Sequence, residues 1–285
     1  MNTVYLNGAW TPMTEARISP MDRGFLFGDG IYEVVPSYGG RPVGLGPHLR
    51  RLATGLDALE IDPGLTEGDW RQLVSQLIER NGAGNLGIYL HVSRGAYDKR
   101  NHAYPAEVQA TVFAYAFEIP AAPSGDPAQV RAYRVSTAED LRWKRCHIKA
   151  TALLGNVMHM RQGQAAGNDE TILFNTAGEL TEAAACNVFL VSGGAVATPP
   201  LDHQKLPGIT RELVLDILRR YSDVTVEERV VHREELAEAD EVWLTSSSKE
   251  IAPVTAIDGH PVGDGRVGPV WASAQALFAA HKFEY

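Results

Sequence analysis

The sequence predicts an α+β protein of two domains, and three observations carry that prediction. Strand-like runs rich in β-branched and aromatic residues are mixed with segregated amphipathic helices rather than alternating strictly with them. A composition shift at Ile119-Pro120-Ala121-Ala122-Pro123-Ser124-Gly125-Asp126-Pro127 has the small-residue, proline-rich character of a linker. With 285 residues the chain is long enough for two cores. The expected division is a small N-terminal α/β domain over 1–118, a linker over 119–129 and a larger domain over 130–285.

In chain order, Met1-Asn2-Thr3-Val4-Tyr5-Leu6-Asn7-Gly8 reads as a strand entering an Asn-Gly hairpin turn. It lacks the basic start and long apolar run of a signal peptide. Leu49, Leu52, Leu56 and Leu59 fall at helical spacing, as do Trp70, Leu73, Val74, Leu77 and Ile78; both stripes are core faces. Thr66 with Asp69 three residues later makes a capping arrangement ahead of the second stripe. Leu86 to Val92 and Val108 to Phe117 read as long strands. Beyond the linker, strands are expected near 130–136, 171–175, 187–192, 195–198, 224–230 and 241–245, and helices near 151–166, 210–221 and 267–281. Asp258-Gly259 marks another hairpin turn.

Composition excludes several classes of function. A net charge of -9 argues against nucleic acid or an anionic membrane surface, both of which require clustered positive charge. No window approaches the roughly 18 apolar residues of a membrane span. Cys146 and Cys186 are the only cysteines, which fits free thiols in a reducing, cytoplasmic setting. No zinc-protease helix, Walker loop or nucleophile elbow is present, and Gly28-Asp29-Gly30 lacks the third glycine of a dinucleotide site.

Arginines outnumber lysines twenty to six, so few side chains can supply a nucleophilic amine: Lys99, Lys144, Lys149, Lys205, Lys249 and Lys282. Lys149 follows Ile148 at the end of an expected strand and precedes Ala150-Thr151-Ala152-Leu153-Leu154, an apolar setting that suits an attacking amine. Lys144 lies in the basic run Arg142-Trp143-Lys144-Arg145 and is the weaker candidate. Glu182 stands among small residues just before the buried strand read at Asn187-Val188-Phe189-Leu190-Val191. Either residue alone would pass as an ordinary surface side chain. Together, an amine that condenses with an aldehyde and a carboxylate that keeps a pyridine nitrogen protonated are what pyridoxal phosphate chemistry needs.

Gly208-Ile209-Thr210-Arg211 reads as a helix N-terminus, whose unpaired N–H groups and threonine hydroxyl suit a phosphate. Thr245-Ser246-Ser247-Ser248 follows an expected strand and adds hydroxyls. His48 and Arg51, near neighbours on one helix, add positive charge. In the loop after Ser93-Arg94-Gly95, Arg100-Asn101-His102 offers a guanidinium that can grip a carboxylate through two parallel hydrogen bonds.

These pieces, in this order, resemble the class IV, fold-type IV aminotransferases that depend on pyridoxal 5'-phosphate, and within that class the bacterial D-amino-acid transaminases. The most specific segments are Asp22-Arg23-Gly24-Phe25-Leu26-Phe27-Gly28-Asp29-Gly30-Ile31-Tyr32-Glu33-Val34 and Arg142-Trp143-Lys144-Arg145-Cys146-His147-Ile148-Lys149. Leu206-Pro207-Gly208-Ile209-Thr210-Arg211 and Glu250-Ile251-Ala252-Pro253-Val254 add to them, and the likeness covers nearly the whole chain. It implies a larger C-terminal domain that is β-barrel-like and carries the cofactor lysine, Lys149. It also implies that Glu182 holds the ring nitrogen, that Arg51, Ile209, Thr210, Ser246 and Ser247 contact the phosphate, and that Tyr32 lies near cofactor and substrate.

Arg100 and His102 match the R-x-H trap for the substrate carboxylate, which in that family reaches in from the second subunit; a homodimer is thereby implied. The implied reaction passes the amino group of a D-amino acid such as D-alanine or D-glutamate to a 2-oxo acid in two half-reactions. Two departures stand out. Ala183-Ala184-Ala185-Cys186 occupies positions where the family often has serines, and the loop Ala96-Tyr97-Asp98-Lys99 is one residue longer. The rival activities are a branched-chain L-amino-acid transaminase, an (R)-selective amine transaminase and an aminodeoxychorismate lyase. Arg100 and His102 argue against the first, and a binder without catalysis would not need Tyr32, Arg100 and His102.

Overall fold

A computed structural model describes residues 3–285; Met1 and Asn2, the start of the predicted N-terminal strand, lie outside the described residues. The chain divides into two compact units. The first holds the residues up to Ala121 together with Ile148–Leu153 and Tyr285, and the second holds Ala122–His147 and Leu154–Glu284.

The first unit is built from β1 (Thr3–Leu6), β2 (Ala9–Pro12), α1 (Arg23–Phe27), β3 (Gly30–Tyr38), β4 (Arg41–Pro42), α2 (Leu45–Leu59), α3 (Glu67–Asn81), β5 (Leu86–Ser93) and β6 (Thr111–Glu118). Its six strands form one sheet in the order β2-β1-β6-β5-β3-β4, and every pairing is antiparallel. The period of two sorts the side chains. Ile31 and Val35 of β3, Ile88 and Leu90 of β5, and Ala114 of β6 face a core shared with Leu52 of α2 and Leu77 of α3. Burying each large aliphatic group stabilises the fold by about 1.5–3 kcal/mol. The alternate residues place Tyr32, Tyr89, Phe113 and Tyr115 on the other face, where neighbouring rings sit 5.1–5.7 Å apart. The capping box read at Thr66 and Asp69 opens α3. The strand expected from Val108 begins only at Thr111, because residue 109 runs against Gly95: a Cβ there would stand 1.9 Å from Gln109 O.

The lysine segment departs from expectation. The sequence places Lys149 at a strand end within the C-terminal domain, yet Ile148–Leu153 belongs to the first unit. Tyr32 N–H donates to Lys149 O (3.1 Å), Thr151 N–H donates to Gly30 O (2.9 Å), and Ala150 bridges Ile31. The segment occupies the flank of β3 that the two-residue β4 is too short to cover. Ile148 and Ala150 join the core, so the alternation turns Lys149 to the aromatic face. The predicted helix at 151–166 accordingly starts later, at Leu154.

The second unit comprises β7 (Tyr133–Glu139), α4 (Leu154–Ala165), β8 (Glu170–Phe174), β9 (Leu180–Ala183), β10 (Asn187–Ser192), β11 (Ala195–Thr198), α5 (Ile209–Tyr221), β12 (Val226–Glu228), α6 (Arg233–Ala237), β13 (Glu241–Ser246), β14 (Glu250–Ile257), β15 (His260–Pro261) and α7 (Pro269–His281). One mixed sheet runs β12-β11-β10-β13-β14-β7-β8-β9, with β15 hairpinned onto β14 through Asp258 and Gly259, both at positive φ. The parallel pairs β7–β8 and β11–β12 are each joined through a helix, α4 and α5, as a parallel crossover requires. Strand β14 is absent from the sequence-based expectation, since Pro253 lies inside it. The proline is tolerated because pairing with β7 starts only at Val254.

Candidate active site

In the first unit, Lys149 Nζ sits 4.2 Å from the centre of the Tyr32 ring and is partly buried. The other five lysines are spoken for or outside. Lys99 and Lys144 are exposed, Lys205 pairs with Asp202, Lys282 pairs with Glu250, and Lys249 lies 3.7 Å from the Cys186 thiol beside Glu170. Lys149 is therefore a partly buried amine with no ion pair among the described residues, which leaves it able to react.

Arg51 and His48 of α2 converge on Glu33, which is wholly buried because it shares the core-facing side of β3 with Ile31 and Val35. Arg51 donates from Nε and Nη2 to the two carboxylate oxygens (2.7 and 2.8 Å), and His48 Nδ1 lies 2.7 Å from Oε2. Burial opposes ionisation of Glu33, but Arg51 outweighs it and holds the carboxyl far below its usual range. Burial likewise pushes His48 down, so it serves as a neutral donor. Sequence reading puts positive charge here and misses the anion that fixes it. The available signal is a glutamate in the core-facing alternation.

Arg100 and His102 are exposed and flank the Phe27 ring, at 5.1 Å and 5.4 Å. Their loop is held from beneath. Arg23, buried on Asp29, donates to Asn101 O and His102 O (2.5 and 3.3 Å), and Arg94 stacks on Tyr104. A cavity of about 380 Å³ in this unit, lined by Phe25, Asp22, His91 and Thr111 among others, contains none of the predicted site residues.

In the second unit, Glu182 is buried on β9. Its Oε1 accepts from Arg142 Nη1, and its Oε2 accepts from Leu206 N–H (3.0 Å) and Asn187 Nδ2 (3.2 Å). Burial still pushes the carboxyl above its ordinary value, against the opposing charge of Arg142. Asn187 packs so closely on Gly208 that a Cβ there would lie 1.9 Å from its Oδ1; only glycine fits.

The small residues after Glu182 divide by burial, with Ala183, Ala184 and Cys186 inside and Ala185 exposed. Ala183 and Ala184 are almost wholly buried, and their backbones are tied to Cys186 O, Thr171 O and the Asn156 amide. Cys186 lies between Glu170 and Lys249 rather than facing solvent.

The phosphate candidates of this unit suit an anion. Helix α5 begins at Ile209 after Gly208 and has no side-chain cap, so the N–H groups of its first turn, Ile209 and Thr210 included, await an acceptor. Thr245 Oγ1 is buried without a hydrogen-bond partner among the described residues, the Ser246 hydroxyl lies against the Cys186 thiol, and Ser247 lies in the turn that follows. An uncapped helix end and an orphaned hydroxyl fit a phosphate, and a buried carboxylate with an unused acceptor position fits a protonated ring nitrogen.

An amine without a counter-ion in one unit, with a buried carboxylate and an uncapped helix end in the other, are the parts an enzyme needs to use an anionic aldehyde cofactor. The profile of the family Amino-transferase class IV matches residues 30–257, and the chain belongs to that family. It is an aminotransferase, and class IV aminotransferases use pyridoxal phosphate. It is 36% identical to the D-alanine aminotransferase of Staphylococcus haemolyticus, over 98% of this chain and 97% of that one. The identity to the Bacillus licheniformis D-alanine aminotransferase is also 36%, over 95% and 94%. Among solved structures, the branched-chain amino acid aminotransferase from Thermobaculum terrenum in its PLP form matches with a TM-score of 0.88 at 21% identity, covering 99% of this chain and 94% of that one. The branched-chain amino acid aminotransferase from Escherichia coli gives a TM-score of 0.87 at 24% identity, covering 98% and 93%. At such identities these neighbours speak for the fold-type IV architecture. No helix among the described residues is long and apolar enough to cross a membrane.

Proposed function

We propose that the protein transfers the amino group of a D-amino acid, of the D-alanine or D-glutamate type, to a 2-oxo acid in a reducing, cytoplasmic setting. The observation that carries the reading is Lys149, a partly buried amine over the Tyr32 ring with no anionic partner. The relatives named D-alanine aminotransferase support the choice of substrate hand. Bound pyridoxal phosphate supplies the aldehyde and the electron sink that lets a Cα–H bond break. Lys149 would hold that aldehyde, and its Nζ would take up and return the proton of the substrate Cα. Glu182 accepts the hydrogen bond of the protonated ring nitrogen. Arg51, Ile209, Thr210, Ser246 and Ser247 bind the phosphate.

Tyr32, Arg100 and His102 orient the substrate carboxylate, with Arg100 and His102 supplied by the second subunit of a homodimer. The exposure of both residues on their own chain supports this arrangement. The test is spectroscopic. D-alanine should bleach the visible band of the purified yellow protein, whereas L-leucine and (R)-1-phenylethylamine should not. Bleaching by L-leucine instead would move the protein to the branched-chain group, and bleaching by the amine alone would make it an amine transaminase.

A further inference from the structure

Beside Glu182 lies a charge cluster that a residue-by-residue reading of the site does not use. Asp140, Arg142 and Glu182 form a buried chain, with side-chain exposures of 9%, 3% and 7%. Asp140 Oδ1 accepts from Arg142 N–H and Nε (3.1 and 2.9 Å), and Oδ2 accepts from Arg142 Nη2 and Thr181 Oγ1 (2.7 and 2.8 Å). A carboxylate offers about four acceptor positions, so Asp140 is saturated. Glu182 fills three, from Arg142, Leu206 and Asn187, and keeps one.

With both carboxylates ionised the charges add to -1, since Arg142 can balance only one of them, and the charge of Asp140 adds to burial in pushing Glu182 up. Neighbouring groups do not supply the missing cation. Burial pushes the Cys146 thiol up to about 11 and the His159 ring down, leaving both neutral, and Asp202 is already paired with Lys205. An excess buried charge is costly until a counter-charge arrives.

Resting on the assignment of Glu182 to the ring nitrogen, we propose that Asp140 is a positioning residue for cofactor chemistry: by claiming the charge of Arg142 it leaves the Glu182 carboxylate one cation short, and so selects a protonated ring nitrogen. Without Asp140, Arg142 alone would neutralise Glu182, and a pyridinium would enter as an unpaired buried cation. Asp140 acts only through Arg142 and touches no cofactor atom.

The test is a binding comparison on the full-length protein stripped of cofactor. It uses pyridoxal phosphate and the analogue carrying C–H in place of the ring nitrogen. A charge-assisted hydrogen bond predicts that wild type prefers the natural cofactor by roughly 10–100-fold. Asp140→Asn should collapse that preference to within a few-fold. The double variant Asp140→Asn/Arg142→Gln restores a net charge of -1 and should recover most of it, which no purely structural role of Asp140 explains. If wild type shows no preference, the assignment of Glu182 fails. If wild type discriminates and Asp140→Asn discriminates equally, or the double variant stays as indifferent as the single one, the role of Asp140 is wrong. Should Asp140→Asn not fold, the double variant decides alone: full discrimination upholds the charge count and indifference overturns it.

Discussion

Replacing Glu33 with Gln removes one charge and almost no volume, which isolates the buried anion under α2. In the native unit that carboxylate accepts from Arg51 Nε and Nη2 and lies against His48 Nδ1, at zero exposure. A glutamine presents one oxygen and one N–H₂ to the same donors, so at least one donor meets another donor and the charge of Glu33 beside Arg51 is gone. Breaking one side of a buried pair costs about 3–5 kcal/mol. For a unit of this size that corresponds to a melting decrease of roughly 10–20 °C. The pH dependence follows with a definite sign. The folded-state value is depressed by Arg51, so the stabilisation is full above the ordinary carboxylate value of about 4.3 and is lost as pH falls below it. Circular-dichroism melts between pH 7 and pH 3 should show a large gap at neutral pH that narrows steadily under acid. Hydrogen exchange in β3 and α2 should loosen in the variant at pH 7. A cost under about 1 kcal/mol at pH 7, or a gap that does not narrow, would refute the idea that Arg51 is held by this charge.

Three further outcomes follow. Arg100→Ala should raise KM for D-alanine by about 2–4 kcal/mol of lost charged hydrogen bonding, with little change in the cofactor spectrum. Mixed with Lys149→Ala after reversible dissociation, it should regain activity, because one site in the mixed dimer then combines an intact Lys149 with an intact Arg100; no recovery would sink the shared-site reading. Both thiols are buried, and burial pushes them up, to about 11 for Cys146 and about 12 for Cys186, so iodoacetamide at about pH 7.5 should label neither until urea is added. Fast labelling of native protein, read by mass spectrometry, would contradict that packing.

What the sequence reveals depends on whether a signal is local. The stripes of α2 and α3 and the capping box at Thr66 and Asp69 are periodic or short-range, and they read directly. Strand β14 fails that test because Pro253 is a breaker until one knows that its neighbour β7 pairs only beyond it. Lys149 can be chosen as a reactive amine from scarcity and neighbours. Its membership of the first unit cannot, since that depends on the unfilled flank of β3, more than a hundred residues earlier.

The site residues that escape sequence reading share one property: each acts through another charged group. Glu33 is legible in hindsight, because the alternation Ile31, Glu33, Val35 commits a carboxylate to a core, and a core carboxylate demands a cation such as Arg51. Asp140 and Arg142 are not legible in that way. Arg142 sits in a basic run and passes for a solvated arginine, and its two carboxylate partners lie at separations of 2 and 40 residues. Only the count of donors and charges around Glu182 distinguishes an arginine that neutralises the carboxylate from one whose charge is already taken by Asp140. That count turns Glu182 from a buried acid into an acceptor awaiting a cation.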